Sequence, residues 1–490
     1  MSYRIKREKL IYAVYAALIL SPLIVLGIQS FLVNKNLFFG VPTWSDELDY
    51  FREILSFRSE GFSFNGSLFA GYEATFGPFG AHSFSPILAW GFYSLFSWSE
   101  HSILICNLLL LCASYMVFVL INKPRGIELF FVCLLAYIYS PLYLYLYTSM
   151  MEVPIYAFTI VYFSCLYRYH TYPTKLRGLM MIVTGVLVTL LRMPYIVLLL
   201  PAVLALSGYK LNKKTIRNLI IYVVAFLVTY KLYNLFCADY PDWVTHRISE
   251  APGIIGKLKV VYSNTLINLK RYFSFASTPA QISLRYVYGF TILLFLIKSL
   301  FRVNNRKLEF KFEGKAFSVF VMLGGLFAIM VSLYDIKDYR DYRTFGIVLF
   351  FSLLYLFTEK KGDMVYKYIG VFFVLVLFLT SFSDGLTKDR VIVRKAITYD
   401  AFEKNFSDED LKGKAIGATW DINWGDAGLL KSIPAELGYK VFIEGEEIPY
   451  LDSVDYVLST YKYMGNHTEL SEKLEFMFDV DRKYLVYKVK

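Results

Sequence analysis

The stretch from Leu10 to Val33 reads LIYAVYAALILSPLIVLGIQSFLV and contains no charged residue. Apolar blocks of similar length recur at Ile216 to Phe236 and at Tyr366 to Phe382. A helix needs about 20 apolar residues to cross a bilayer core, whereas the strands of a membrane barrel alternate in segments of about ten. The blocks therefore predict membrane-spanning helices. No small-residue cleavage pattern follows the first block, so we expect it to remain as an anchor.

The composition supports the same class of protein. Of 490 residues, 56% are hydrophobic and 19% are charged, and the mean hydropathy is +0.46. Ordinary soluble proteins carry about 25% charged residues. The formal net charge of +11 is spread over short loops between apolar blocks, which is typical of membrane topology. We expect membrane lipids rather than nucleic acid as partners.

The apolar pattern predicts an all-α polytopic membrane protein with about 11 transmembrane helices. The predicted spans are Leu10 to Val33, Ser102 to Ile121, Ile127 to Tyr147, Pro154 to Tyr169, Gly178 to Leu191, Pro194 to Ser207, Ile216 to Phe236, Leu284 to Phe301, Ala316 to Tyr334, Phe345 to Phe357 and Tyr366 to Phe382.

The basic residues of the short loops predict the orientation. With the N-terminus in the cytoplasm, these residues all lie inside, as the positive-inside rule requires. They are Arg4, Lys6, Arg7, Lys9, Lys123, Arg125, Arg168, Lys175, Arg177, Lys210, Lys213, Lys214, Arg217, Arg302, Arg306, Lys307, Lys311, Lys315, Lys360 and Lys361. We therefore expect a multi-pass membrane protein with its N-terminus inside and its chemistry on the outer face.

With this orientation, the parts predicted to lie outside are the loop 34–100, the short turn around Glu152, the stretch from Asp239 to Ser283, the turn from Asp335 to Arg343 and everything after Ser383. The loop 34–100 belongs to the transmembrane region 1–383, and residues 384–490 are predicted to form a small soluble extracytoplasmic α/β domain. The pattern of that domain predicts strands at KAIGATW, YKVFI and VDYVLST, and a closing hairpin at LEFMFDVDRKYLVYKV. Trp420, Asp421, Trp424 and Asp426 follow the first strand and form either a structural turn or a glycan contact.

The outer loop begins with PTWSDELDYFREILSFRSE from Pro42. Its apolar residues recur at helical spacing, which predicts an amphipathic helix near the membrane surface. Asp46 and Glu47 lie in the first turn of this helix, where acidic residues complement the helix dipole. This structural role for the two acids stays open beside a catalytic one.

A histidine and a proline, His82 and Pro86, follow later in the loop within GPFGAHSFSPILAWGFYSLF. The order of these features resembles that of the C-type (GT-C) integral membrane glycosyltransferases. The features are a first span, then Asp46 and Glu47 shortly before Tyr50, and then His82 with Pro86. The resemblance implies an enzyme that takes a sugar from a polyprenyl phosphate donor. The acceptor would be a glycan, a lipid or a protein at the outer face of the membrane.

The resemblance extends to three later places. These are Glu152 in TSMMEVPIYAF, Arg192 in LLRMPYIVLLLP, and Arg340 with Arg343 in DYRDYRTFGIVLFF. The chain departs from the family where Glu152 replaces the commoner aspartate and where Pro86 stands without a second proline.

The resemblance also implies roles for these residues. Asp46 would be the general base that accepts the proton of the acceptor hydroxyl, and a single displacement would invert the anomeric carbon. Glu47 and Glu152 would orient the acceptor or the donor sugar, and Tyr50 and His82 would complete the substrate-binding set.

Arginine suits the donor phosphate because a planar guanidinium can hold two oxygens at once. We expect Arg340 and Arg343 to bind this phosphate, with interfacial anchoring as the alternative. Arg192 lies between two short apolar runs, at a turn predicted to be on the outer side, where the positive-inside rule disfavours a cation. We interpret it either as a functional residue or as the partner of Glu152 or of a backbone carbonyl.

No motif indicates an organic cofactor. A divalent metal ion bound by His82 and the acids stays open, although a structural role is the commoner fate of a lone histidine in an aromatic loop. No Gly-rich nucleotide loop occurs, which argues against a nucleotide-sugar donor.

Two other functions remain. A polymerase of lipid-linked repeat units would also use arginines at the outer face, but it usually lacks the early acidic pair. A glycan flippase or transporter would show internal hydropathy repeats and ionisable residues at mid-membrane.

The tract YIYSPLYLYLYTSM, which begins at Tyr137, is rich in tyrosine. We expect these tyrosines to form part of an interfacial aromatic belt.

Overall fold

A computed structural model gives the architecture of the chain. It describes residues 2–34, 36–38, 102–146, 148, 150–210, 212–236, 244–274, 278–304, 307–334, 336, 340–359, 364–384, 400–411, 413–423, 429, 433–434, 437–441, 451–480 and 482–490. The proposed loop residues Asp46, Glu47, Tyr50 and His82 lie outside this part of the chain.

The described residues before position 385 are mostly helical, with one short β-hairpin among them. Its α-helices are α1 (Ser2–Ile19), α2 (Ser21–Val33), α3 (Ser102–Asn122), α4 (Ile127–Ile138), α5 (Ser140–Tyr143), α6 (Glu152–Thr171), α7 (Lys175–Leu191), α8 (Leu199–Leu206), α9 (Lys213–Phe236), α10 (Val244–Glu250), α11 (Gly253–Ser274), α12 (Pro279–Leu300), α13 (Gly314–Leu333), α14 (Arg340–Thr358) and α15 (Met364–Asp384). A 3-10 helix (Met193–Leu198) joins α7 to α8, and strands β1 (Phe301–Asn304) and β2 (Lys307–Phe310) form the hairpin.

Within the described residues, four helices are long and apolar enough to cross a membrane, namely α3, α12, α13 and α15. The bent pair α1 and α2 makes a fifth if it counts as one span. The prediction of a mostly helical chain with several apolar spans is confirmed at this level. Each of the predicted spans overlaps a helix or a pair of helices.

Two predicted spans are broken, and a proline stands just after each break. Leu10 to Val33 was expected to form one helix, but α1 and α2 meet at a 62° bend. Pro22 lies in the first turn of α2, where it has no N–H to continue the preceding helix. Pro141 likewise lies in the first turn of α5, which begins at Ser140 after α4 has ended at Ile138.

Helix α7 and the segment that follows it form a tight hairpin. A Cβ atom on Gly185 would lie 2.5 Å from Leu199 Cδ2, and one on Gly178 would lie 3.5 Å from Leu206 Cδ2. These contacts place the two arms antiparallel and close together, with Arg192 at the tip. The residue Arg192 is extended (φ −160°, ψ 122°) and separates α7 from the 3-10 helix.

Two ends of the helical region can be named from its connections. Helix α13 ends at Leu333 and α14 begins at Arg340, so these two termini lie at one end, which we call the site end. Helix α12 begins at this end because it runs antiparallel to α13: Tyr288 contacts Leu323, and Lys298, near the end of α12, contacts Glu313 just before α13. The β1–β2 hairpin, which joins α12 to α13, marks the opposite end.

Three described tyrosines after α4 are buried within the protein. Tyr139, Tyr143 and Tyr145 are buried in the main hydrophobic core, which contradicts their assignment to an interfacial belt. Their hydroxyls find partners inside the protein: Tyr139 donates to the carbonyl of Gly346 (2.6 Å), and Tyr143 donates to that of Ala136. A satisfied hydroxyl removes the main cost of burying a tyrosine.

The C-terminal region forms a five-stranded mixed sheet, as the strand pattern predicted. The strands are β3 (Ala415–Ala418), β4 (Gly438–Val441), β5 (Tyr456–Thr460), β6 (Leu474–Val480) and β7 (Tyr484–Val489), in the order β4-β3-β5-β7-β6. Strands β3, β4 and β5 are parallel, and β6 and β7 form the antiparallel closing hairpin. The side chains of one face pack into a core of their own, which includes Phe402, Ile416 and Leu458.

Candidate functional site

A buried glutamate joins two arginines at the site end. Glu152 Oε1 accepts a hydrogen bond from Arg343 Nε at 2.6 Å and one from Arg192 Nη1 at 3.0 Å. Glu152 is 1% exposed, and the Arg343 side chain is 6% exposed. Arg192 differs, because 28% of its side chain is exposed. We call these three side chains the charge cluster.

Glu152 is held by the start of α6. It is the first residue of that helix, where a negative charge is stabilised by the helix dipole. Pro154 lies in the same first turn, where the missing N–H of proline costs no helical hydrogen bond. The local sequence Glu-Val-Pro thus begins a helix and places a carboxylate at its positive end.

The two arginines come from separate elements. Arg192 is the extended residue at the tip of the α7 hairpin, and Arg343 lies in the first turn of α14. The hydroxyl of Tyr195, just after the tip, donates a hydrogen bond to the backbone carbonyl of Arg343. This bond ties the hairpin to α14 and fixes the spacing of the two guanidiniums.

The cluster carries more positive than negative charge. One carboxylate faces two guanidiniums, so the three groups together carry one net positive charge. The second carboxylate oxygen, Glu152 Oε2, is buried and has no hydrogen-bond partner among the residues that the structure describes. A buried acceptor without a partner is uncommon and costs free energy unless a ligand or water satisfies it. The arrangement can therefore accept a hydroxyl at Oε2 and attract an anion to Arg192.

The structure brings together three of the predicted site residues. Glu152, Arg192 and Arg343 are in direct contact, and the ion pair that the sequence left open for Arg192 is present. Arg340 is the first residue of α14, and its side chain lies outside the described residues.

No metal site is seen in the described part of the chain. None of its histidines, cysteines, aspartates and glutamates form a group of three or more that could hold a metal ion. His82 and the loop acids lie outside that part, so the alternative of a metal at His82 stays a prediction.

A second buried charge group lies at the opposite end. Lys298 Nζ is 2.9 Å from Glu313 Oε2 and 3.0 Å from Glu359 Oε2. The Lys367 ammonium donates to the backbone carbonyl of Glu359 at 2.7 Å. These contacts connect the ends of α12, α13, α14 and α15. Burial of the Glu359 carboxyl raises its pKa despite the nearby lysine.

The C-terminal sheet carries a smaller polar group beyond β3. Asp421 Oδ1 accepts from the Thr419 hydroxyl at 2.7 Å, and Oδ2 accepts from the Thr460 hydroxyl. Both oxygens are thus used to join the ends of β3 and β5, as the structural interpretation of this turn predicts. Trp424 and Asp426 lie outside the described residues.

Comparisons with known proteins leave the family open. The sequence matches no protein-family model, and no curated protein is significantly similar to it.

Proposed function

We propose that the chain is a membrane glycosyltransferase of the C type, which moves a sugar from a polyprenyl phosphate donor to an acceptor at the outer face of the bacterial cytoplasmic membrane. One observation carries the proposal beyond the resemblance. In the described part of the chain, a buried glutamate with one oxygen that has no hydrogen-bond partner there lies beside two guanidiniums at the site end of the helical region.

This arrangement fits the two chemical parts of the donor. A guanidinium can hold the lipid phosphate and stabilise its charge as the sugar leaves. The free oxygen of Glu152 can accept a sugar hydroxyl beside that phosphate. Arg192 is the more exposed of the two arginines, so we assign the phosphate to it, with Arg343 and Arg340 as further cations.

The rest of the site comes from the first outer loop. The resemblance gives the general base to Asp46, and gives Glu47, Tyr50 and His82 to the substrates. We propose that about eleven spans hold these groups, with the N-terminus inside and the site end outside.

A direct assay tests the donor class. Purified protein in liposomes is incubated with a panel of polyprenyl phosphate monosaccharides, and consumption of each donor is followed by mass spectrometry. We expect one donor to be consumed. If the protein is folded and none is consumed with any acceptor preparation, the proposal is wrong.

A polymerase remains the second candidate, because the same pair of arginines would suit the diphosphate of a lipid-linked repeat unit. The two functions differ in donor. A polymerase would lengthen lipid-linked repeat units and leave the polyprenyl phosphate monosaccharides unchanged.

Removing the Arg192 guanidinium should weaken donor binding. A charge-assisted hydrogen bond contributes about 1.5 to 3 kcal/mol, so Arg192→Gln is expected to raise the donor Kd about ten- to hundredfold. Arg217→Gln is the matched control, because Arg217 is exposed at the opposite end, near the start of α9. Equal donor affinities in the two folded variants would remove Arg192 from the phosphate site.

The proposed orientation predicts which cysteines an impermeant reagent can reach. Ser67→Cys in the first loop and Ser471→Cys, which is exposed in the C-terminal sheet region, should both react with a membrane-impermeant maleimide on spheroplasts. Lys175→Cys, at the exposed start of α7, should react only after the membrane is permeabilised. Protection of Ser67→Cys or Ser471→Cys in intact spheroplasts would contradict the orientation.

A further inference from the structure

Helix α11 (Gly253–Ser274) turns its polar face towards the protein and its apolar face away from it. Asn264, Asn268 and Tyr272, spaced four residues apart on one face, are its buried residues. The large apolar residues of the other side are exposed. They are Ile255 (73%), Leu258 (62%), Tyr262 (66%), Leu266 (50%) and Phe273 (68%).

The two asparagines attach α11 to the end of a candidate membrane span. Asn264 Nδ2 donates to the carbonyls of Ser332 and Tyr334, both at 3.1 Å. Asn268 Nδ2 donates to the carbonyl of Val331 at 3.0 Å and also to that of Tyr334. The last carbonyls of a helix have no partner within that helix, so the side chains of α11 satisfy the end of α13.

The last turn of α11 is attached to the start of a second candidate span. The Tyr272 hydroxyl donates to the carbonyl of Arg285 at 2.6 Å, and Arg285 Nη1 donates to the carbonyl of Arg271 at 2.9 Å. Arg285 lies in the second turn of α12 and is 3% exposed. Helix α11 is therefore fixed at the level where α12 begins and α13 ends, which is where two spans meet the membrane boundary.

The charges of α11 are all positive. Lys257, Lys259, Lys270 and Arg271 are its ionisable side chains besides tyrosine, and it contains no aspartate or glutamate. Lys259 and Lys270 are exposed and lie about three helical turns apart, so they project to the same side, at the edge of the apolar face. An apolar face with a basic edge is typical of helices that lie in an anionic membrane surface.

We propose that α11 binds the surface of an anionic phospholipid leaflet. Its apolar face lies at the boundary between headgroups and acyl chains, and Lys259 and Lys270 contact headgroup phosphates. A second copy of this chain is a poorer occupant, because pairing two such faces would bring Lys259 and Lys270 of one copy close to the same two lysines of the other, four positive charges in all. The proposal does not depend on the glycosyl-transfer function.

The position of the apolar face can be measured by quenching. A bimane label on Tyr262→Cys is compared with one on Ser263→Cys, which is exposed on the flank of the same helix. In liposomes that contain phosphatidylglycerol, the label at 262 should be quenched by doxyl-labelled lipid and protected from aqueous iodide. The label at 263 should be the more accessible of the two to iodide. Equal iodide access, or protection of the label at 262 from both quenchers, would overturn the proposal, because the face would then contact water or protein.

The charge preference gives a second, independent readout. A lysine near an anionic membrane surface contributes about 1 kcal/mol, which is about fivefold in affinity. Lys259→Gln with Lys270→Gln should lower the preference of the protein for phosphatidylglycerol over phosphatidylcholine roughly 25-fold. The comparison is made by competition for labelled lipid in mixed micelles. The control is Lys462→Gln with Lys473→Gln, which removes two exposed lysines from the C-terminal sheet region. An unchanged preference in the α11 variant would overturn the role of the lysines.

Discussion

Glu152→Gln is expected to lower the free energy of unfolding by about 3 to 5 kcal/mol, because it leaves two guanidiniums facing each other without the carboxylate that joins them. Arg343 is buried and cannot turn to water, while Arg192 is only partly exposed. The measurement is unfolding of the protein in mixed micelles of dodecylmaltoside and SDS. Glu475→Gln is the control, because Glu475 is an exposed glutamate in β6 and its loss should change stability by less than about 0.5 kcal/mol.

A double variant separates the loss of the ion pair from a general disturbance of the packing. If the cost of Glu152→Gln comes from uncompensated positive charge, then Arg343→Gln in the same chain should relieve part of it. The double variant should be more stable than the sum of the single effects by about 1 to 3 kcal/mol. Unchanged stability in Glu152→Gln would mean that other groups compensate the charge of the two arginines, and would contradict this role of Glu152.

The sequence indicates the helical segments well, because each long apolar run can satisfy its backbone only as a helix in lipid. It is less reliable on where those helices break. Pro22 and Pro141 mark the two breaks and could have been used, since a proline removes a helical hydrogen bond. The burial of Tyr139 could not have been found in this way. Its hydroxyl partner, Gly346, is 207 residues away along the chain.

The charge cluster likewise combines residues that the sequence could single out with a contact that it could not predict. The resemblance singled out Glu152, Arg192 and Arg343, and the positive-inside rule marked Arg192 as an unusual charge. Their shared contact joins residues 40 and 191 positions apart, and no local pattern contains that information. The contact bears on the proposed role of Arg343, because Glu152 already holds its guanidinium in this structure.

The polar face of α11 could have been predicted from the sequence. Asn264, Asn268 and Tyr272 recur at a spacing of four residues, which marks one face of a helix as firmly as apolar residues do. A polar face on a helix next to membrane spans indicates that the protein covers it. The opposite, apolar face is then the one that meets lipid.

The second large effect is expected at Asp46. Asp46→Asn keeps the size of the side chain and one hydrogen-bonding oxygen, but it removes the group that would accept the proton of the acceptor. General-base catalysis contributes about 10² to 10⁴ in rate, so turnover should fall by at least that lower factor. Donor binding and folding should stay unchanged. The measurement is single-turnover transfer from the polyprenyl phosphate donor, together with donor affinity.

Glu47, the neighbouring acid, is the comparison for the loss of turnover expected in Asp46→Asn. Glu47→Gln should retain measurable turnover, with part of its loss in substrate binding, because an orienting hydrogen bond acts in the ground state as well as in the transition state. If Asp46 only caps the amphipathic helix, then asparagine should replace it without loss, since asparagine caps helices about as well as aspartate. Near-normal turnover in a folded Asp46→Asn variant would therefore assign Asp46 to the helix and leave the proposed transferase without its base. A large loss in kcat at unchanged donor affinity, seen in Asp46→Asn and not in Glu47→Gln, has no explanation in helix capping, because capping acts on folding and not on the proton of the acceptor.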